Sequence, residues 1–352
     1  MRQFVYDQPA GRVVFGVGAI ERLAGEVSSL HVHRPLIVST PGRRAEADAT
    51  ARQLGDSALV HAKAVMHVPG DIARRAVETA ARHAADGVVA VGGGSTIGLA
   101  KWIARETGLP IVAVPTTYAG SEMTAIWGVT EAGRKETGRD RRVLPKTVIY
   151  DPALTVGLPA RVSGPSGMNA LAHAVEALYA EDANPVATLQ AVEGIRALGR
   201  SLPVVVREPA NLEARADALY GAWLAAATLA TTTVGLHHKA CHVLGGMFNV
   251  SHADTHSVML PYAVRFQQSA AADSLQLGAA ALGGRDAASA IRALAVRIGA
   301  PTALKDIGVP HDGIDRAAET IASQTFYSPA AVGYAAARRL LEDAYAGTGF
   351  DS

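Results

Sequence analysis

The feature that most constrains the fold is a change of hydrophobic rhythm part-way along the chain. Up to about Asp151, short β-branched runs at residues 12–15, 35–39, 59–65, 87–91, 111–114 and 147–150 alternate with alanine-rich amphipathic stretches such as 72–84. Strands separated by helical patterns argue for βαβ units and a mainly parallel sheet. From Pro165 onward the period is helical, over 166–180, 185–202, 211–230, 275–282, 286–298 and 329–345. Pro152, Gly157, Pro159, Gly164 and Pro165 punctuate the passage between the halves. The expected organisation is an α/β domain over residues 1–155 and an all-helical domain over 156–352.

Bulk properties narrow the function. With 49% hydrophobic and 18% charged residues the chain is a packing globular protein and not a disordered one. A net charge of +1 gives no electrostatic case for nucleic acid or a membrane surface. The single cysteine excludes an internal disulfide framework and suits a reducing cytoplasm. The N-terminal segment has no signal-peptide core, and the run 222–234 is too short and too rich in Thr to span a bilayer. A soluble cytoplasmic protein is expected, with a homodimer as one way to bury the alanine-rich helices.

In a parallel sheet, ligands gather at the carboxyl ends of the strands. After the strand at 87–91 comes Gly92-Gly93-Gly94-Ser95-Thr96, opening a helix expected over 97–107. Glycines allow close approach of an anion, and a helix N-terminus offers free N–H groups, so a pyrophosphate fits there. A tight strand-to-helix turn explains the same residues. The next strand end carries Thr116, Thr117 and Tyr118 before Ala119-Gly120-Ser121, a second polar rim or an ordinary hydroxyl turn.

The helical half contains the densest chemistry. Residues 235–261 hold five of the twelve histidines and the only cysteine. A helix over 236–243 puts His238 and His242 on one face and points His237 and Lys239 elsewhere. Gly245-Gly246 is expected to end that helix, with a short loop returning His252 and His256 to the same region. Such a cluster holds a divalent metal, transfers protons, or is a set of satisfied polar core residues. Upstream, Asn169 and His173 share a helical face by their spacing of four, either as a buried hydrogen-bonded pair or as part of the same site.

Taken together, GGGSTIGLAK at 92–101, PTTYAGSEMT at 115–124, GMNALAHAVEALY at 167–179 and the segment 235–261 resemble the iron-containing alcohol dehydrogenase superfamily. Among its branches they look most like maleylacetate reductase, notably in Gly98, in Tyr118-Ala119-Gly120, in His237-His238-Lys239 and in Ala253-Asp254-Thr255-His256. The resemblance implies a Rossmann-like N-terminal domain, a helical C-terminal domain and an active site in the cleft between them, as in dehydroquinate synthase-like proteins. It implies NADH- or NADPH-dependent reduction of the C=C bond of maleylacetate, a dicarboxylate, to 3-oxoadipate in the breakdown of aromatic rings. The family's four metal-ligand positions fall on Asn169, His173, His238 and His252. An amide at the first position removes the only carboxylate, so metal binding is expected to be weak or absent.

The resemblance also implies roles. His242 is the expected proton donor or relay, with His173, His238 and His252 lining the pocket. His237, Lys239 and His256 are candidate partners of the substrate carboxylates, with Asn169, Tyr118 and Tyr327 nearby. Gly93, Gly94, Ser95 and Thr96 would face the pyrophosphate, Thr116 and Thr117 a ribose, and Lys135 the cofactor. Ser39 and Thr40 end a strand where NAD-selective enzymes place an acid; without it, Arg43 or Arg44 would tolerate a 2′-phosphate, so both cofactors are expected. The rivals are a metal-dependent alcohol or polyol dehydrogenase, a dehydroquinate synthase-like lyase and a non-catalytic nucleotide-binding protein.

Overall fold

A computed structural model describes residues 4, 6–8, 11–131 and 134–350, without the side chains of residues 134 and 135. The chain divides into two compact units, one of Gln8–Gly157 and the other of Leu158–Ser352 with Met1–Asp7.

The first unit is built on six parallel strands: β1 (Arg12–Phe15), β2 (Pro35–Val38), β3 (Leu59–His61), β4 (Gly87–Gly92), β5 (Ile111–Pro115) and, after a hairpin, β8 (Thr147–Tyr150). Their order is β1-β8-β5-β4-β2-β3. Every residue of β2, β4, β5 and β8 is buried, as expected where helices cover both faces of a parallel sheet. The helices are α1 (Leu23–Ser29), α2 (Arg44–Leu54), α3 (Gly70–Arg82) and α4 (Gly94–Thr107). The hairpin, β6 (Ile126–Glu131) and β7 (Arg134–Arg139), has no counterpart in the sequence reading. Its second strand, RKETGR, carries no apolar alternation to betray it.

The second unit is helical: α5 (Ala160–Leu178), α6 (Pro185–Arg207), α7 (Leu212–Thr231), α8 (Leu236–Phe248), α9 (His252–Gln267), α10 (Ala272–Ala281), α11 (Ala287–Arg297), α12 (Ile314–Ala322) and α13 (Tyr334–Ala346). Asn184, Asn211, Ser251 and Asp286 cap four of these with side-chain acceptors. Helix α5 is buried on every side from Ser163 to Leu178, against α6, α7 and α9. Polar residues on such a helix need internal partners, and that requirement selects the site. Among the described residues no single helix is long and apolar enough to cross a membrane.

Two local expectations fail. Helix α8 runs through Gly245 and Gly246 and ends at Asn249, whose φ of 53° supplies the left-handed cap. Neither glycine is needed for space, since a Cβ on either would meet nothing within 4 Å. His252 and His256 lie on the first turns of α9 and not on a returning loop. Ser251 caps that helix and so starts it three residues after α8 ends.

Candidate active site

Six of the seven histidines of the helical unit form one contiguous group, and the seventh, His311, lies apart beside Glu342 and Tyr345. His173 from α5 stacks on His238 from α8, with ring centroids 5.0 Å apart. His242 stacks on His252 at 5.8 Å, and His256 sits edge-on to His252 at 4.3 Å and to His238 at 4.8 Å. Asn169, His173 and His238 are about 5% exposed and His237 and His256 not at all, while His242 and His252 are half-buried. Helical spacing brings 238 and 242 to one face of α8, and 252 and 256 to one face of α9. The packing of α8 on α9 joins them.

Burial sets the charge of three of these rings. Desolvation, reinforced by neighbouring imidazoles, holds His173, His237 and His256 well below the usual histidine range, so they are neutral at pH 7. His237 is further committed: its Nε2 bonds His256 Nδ1 at 2.9 Å. Neither His237 nor His256 is therefore the cation expected for a substrate carboxylate. Lys239, half-buried on α8, remains as a candidate ammonium.

Glu176 organises the group, and the sequence reading gave it no role. Its Oε1 accepts the backbone N–H groups of Gly235 at 3.1 Å and His237 at 3.0 Å, closing the start of α8. Its Oε2 is hydrogen-bonded to His238 Nδ1. The signal was present: Glu176 follows His173 by three residues and shares the face of Asn169 and His173.

Three donors lie mutually within 4.8 Å among the described residues: His237, Cys241 and His256. These are not the positions that the resemblance assigned. Burial, and then the charge of Glu176, raise the Cys241 thiol well above its ordinary range, which keeps it protonated and opposes a thiolate–metal bond. At the family's positions the donors are three imidazoles and the Asn169 amide, with no carboxylate among them. His173 Nδ1 and His238 Nε2 are buried with no hydrogen-bond partner, yet with His252 they do not converge as the former trio does. This donor set differs from the family's pattern only in the amide that replaces the carboxylate.

The first unit presents a separate group. Gly93 is the N-cap of helix α4 and provides no side-chain cap, leaving the first N–H groups of the helix for an anion. A Cβ at Gly93 would lie 2.8 Å from the Thr117 side chain, and one at Gly98 2.9 Å from Val68 Cγ2, so neither position has room for a side chain without a shift of its neighbour. The Thr116 N–H donates to Gly92 O at 3.1 Å and ties the two loops together. Gly94 is exposed and Ser95 half-buried, while Thr96 is buried and its hydroxyl has no hydrogen-bond partner.

Other expected residues are placed differently. Tyr118 is wholly buried, so its ring belongs to the packing, whereas Tyr327 is 39% exposed. Ser39 is wholly buried, with its hydroxyl 3.0 Å from Thr40 O and 3.1 Å from Arg43 O, and serves the turn and not a ribose. Thr40 is half-buried beside it. Arg43 pairs with Glu46, and Arg44 with Asp48. Lys135 pairs its backbone with Thr130, but its side chain lies outside the described residues.

The loop that carries Thr116 and Thr117 is held by a lysine that the sequence reading passed over. Lys101 Nζ, wholly buried on α4, donates to Ser121 O, Thr124 O, Thr124 Oγ1 and Ile126 O at 2.6–3.0 Å. Glu122, also wholly buried, accepts from Tyr150 Oη at 2.9 Å.

With the geometry described, comparison with known proteins decides the family. The iron-containing alcohol dehydrogenase model matches residues 10–152, and the C-terminal model of the same family matches residues 164–345. The chain belongs to the iron-containing alcohol dehydrogenase family. A maleylacetate reductase of Burkholderia cepacia is 50% identical over 348 residues, 99% of each chain. The crystal structure of a maleylacetate reductase from Rhizobium sp. strain MTP-10005 superposes with a TM-score of 0.94 at 46% identity, and one from Agrobacterium tumefaciens with 0.95 at 44%; each comparison covers 99% of both chains. The family's name points to iron, so the match gives no support to an absent metal, and only the donor set argues for weak binding.

Proposed function

We propose that this enzyme of the iron-containing alcohol dehydrogenase family uses NADH or NADPH to reduce the C=C bond of maleylacetate to 3-oxoadipate. The observation that carries the reading is 50% identity to a maleylacetate reductase over 99% of both chains. Hydride adds to the alkene carbon that bears the carboxylate, the π electrons move towards the ketone, and the resulting enolate takes a proton on its α carbon. Hydrogen-bond donors suffice to stabilise an enolate where they are preorganised in a dry site.

The residues of this chain support that division of labour. His242, half-buried and 6.3 Å centroid to centroid from His238, is the assigned proton donor. His173, His238 and His252 line the pocket, and Lys239 is the cation offered to a substrate carboxylate. On the cofactor side, the uncapped start of α4 at Gly93, Gly94 and Ser95 suits a pyrophosphate, with Thr116 and Thr117 beside it. Metal binding at Asn169, His173, His238 and His252 is weak, because no ligand there offsets the ion's charge.

Consumption of NADH and NADPH with maleylacetate, measured with and without a chelator, tests the reading. Turnover that survives chelation is expected. No turnover of maleylacetate, with chelator-sensitive oxidation of simple alcohols instead, would establish the metal-dependent dehydrogenase.

A further inference from the structure

We propose that Thr130, on strand β6 of the hairpin, is a positioning residue for the dinucleotide: it holds Val68 in a left-handed conformation in which that side chain braces the start of helix α4. The proposal rests on the dinucleotide reading of this unit given above, and it gives the hairpin a task within that reading. Segment 62–69 follows β3 and so lies, with the loops after β2 and β4, at the carboxyl edge of the parallel sheet, where dinucleotides bind. Within it the Val68 N–H closes a turn onto Val65 O at 3.3 Å, and two successive residues that are not glycine have positive φ, His67 at 64° and Val68 at 48°. For Val68 this is doubly unfavourable, because a β-branched residue is strained there and because a residue before proline, here Pro69, prefers extended backbone. Such a conformation persists only where the surroundings impose it.

The hairpin imposes it. Thr130 Oγ1 donates to His67 O at 2.8 Å and the Thr130 N–H to Val68 O at 3.0 Å, and Thr130 also forms a parallel bridge with Pro69. The next residue, Glu131, pairs with Arg74 of α3 and lies so close over Gly70 that a Cβ there would overlap its carboxylate. Val68, thus held, is 6% exposed, with its Cγ2 2.9 Å from the point that a Cβ on Gly98 would take. The valine therefore fills the side-chain space of position 98, about one turn in from Gly94, and rests on the backbone of the helix whose first N–H groups are offered to the pyrophosphate. A brace at that point fixes where those donors aim, and donors ordered beforehand bind an anion more tightly than donors ordered by it.

The affinity of the enzyme for NADH without substrate, measured by fluorescence titration, reads the brace. Thr130→Val removes the hydroxyl and keeps the shape, and its NADH dissociation constant should rise roughly five- to tenfold, the scale of one hydrogen bond. Thr130→Ser keeps the donor and should stay within about twofold of wild type. Val68→Gly removes the brace together with the strain, and should weaken NADH to a similar extent. Adding Thr130→Val to it should then change the constant by less than about twofold, because no brace remains to be held. Hydrogen exchange at the residue 130 amide, which donates to Val68 O, reads the clamp without any ligand and should quicken at least about tenfold in Thr130→Val.

A Thr130→Val enzyme that melts lower than wild type but binds NADH within about twofold of it has lost only a structural bond, which overturns the proposal. So do effects of Thr130→Val and Val68→Gly that multiply to about 25-fold or more in the double variant, and an exchange rate at residue 130 that does not change. If Val68→Gly fails to fold, the contrast between Thr130→Val and Thr130→Ser decides alone. If the wild type binds neither NADH nor NADPH, the dinucleotide reading itself fails, while the exchange result still reports whether Thr130 holds Val68.

Discussion

Lys101→Met tests whether the loop bearing Thr116 and Thr117 is held in place from behind. Four acceptors lose a donor, three main-chain carbonyls and the Thr124 hydroxyl, of which Ser121 O keeps the Thr124 N–H and hydroxyl and Thr124 Oγ1 keeps the Ile126 N–H. A buried acceptor left unsatisfied costs about 1–3 kcal/mol, and removing the ammonium recovers part of its desolvation cost. With Thr124 O and Ile126 O left without that donor, the net loss should be about 3 kcal/mol. At about 2–4 °C per kcal/mol for a unit of this size, the melting temperature should fall by roughly 10 °C. Two of the three tryptophans read this unit, Trp102 packing edge-on against Trp127 at 5.7 Å with Arg105 over both rings, so the melt is followed by fluorescence in a Trp223→Phe background that removes the one on α7. A Lys101→Met protein melting within about 2 °C of wild type would refute the reasoning.

The same lysine predicts a pH dependence with a definite sign. Burial lowers its pKa from 10.5 to about 7, against the pull of Glu122. The unfolded chain then holds more protons than the native one between those values. Stability therefore rises with pH across that window, and the penalty is fully present below pH 7. Because four acceptors favour the charged amine, the gain of wild type over Lys101→Met between pH 7 and 9 should be about 2 kcal/mol at most, read from urea midpoints. A difference that falls with pH would contradict it.

Three further outcomes follow. Asn169→Asp restores a carboxylate among neutral imidazoles; it should destabilise the metal-free protein by about 3 kcal/mol and raise the affinity for Co²⁺ at least about tenfold, seen in visible absorption, and unchanged affinity would contradict the donor-set argument. His242→Ala should lower kcat with maleylacetate at least about 100-fold, and nearly full turnover there with complete loss in His252→Ala would reverse the assigned roles. NADH and NADPH should support kcat/KM values within about a hundredfold, or 2.7 kcal/mol, of each other; a wider preference for NADH would show that Arg43, paired with Glu46, does not receive a 2′-phosphate.

The strands and most helices were legible because their signals are local. The run GVVAVG reads as a strand buried on both faces, and 185–202 reads as a helix from periodicity alone. The β6–β7 hairpin was not legible, since RKETGR is polar throughout and is specified by its cross-strand partners. The Gly245-Gly246 pair misled because tertiary packing of α8 overrides a weak local preference. The histidine cluster was visible as composition, but its charge was not: the neutrality of His237 and His256 comes from burial among residues on other helices. Glu176 escaped notice for a related reason, because its partners lie 59–62 residues away in sequence.

The central claim is that hydride goes to an alkene carbon and not to a carbonyl. Reduction of maleylacetate with NADH deuterated at the transferred C4 position, followed by NMR of the product, reads this directly. The account predicts 3-oxoadipate with an intact ketone and one deuterium on the methylene derived from the alkene carbon that bears the carboxylate. Deuterium on a newly formed carbinol carbon would contradict it and would place the enzyme with the alcohol-forming members of its family.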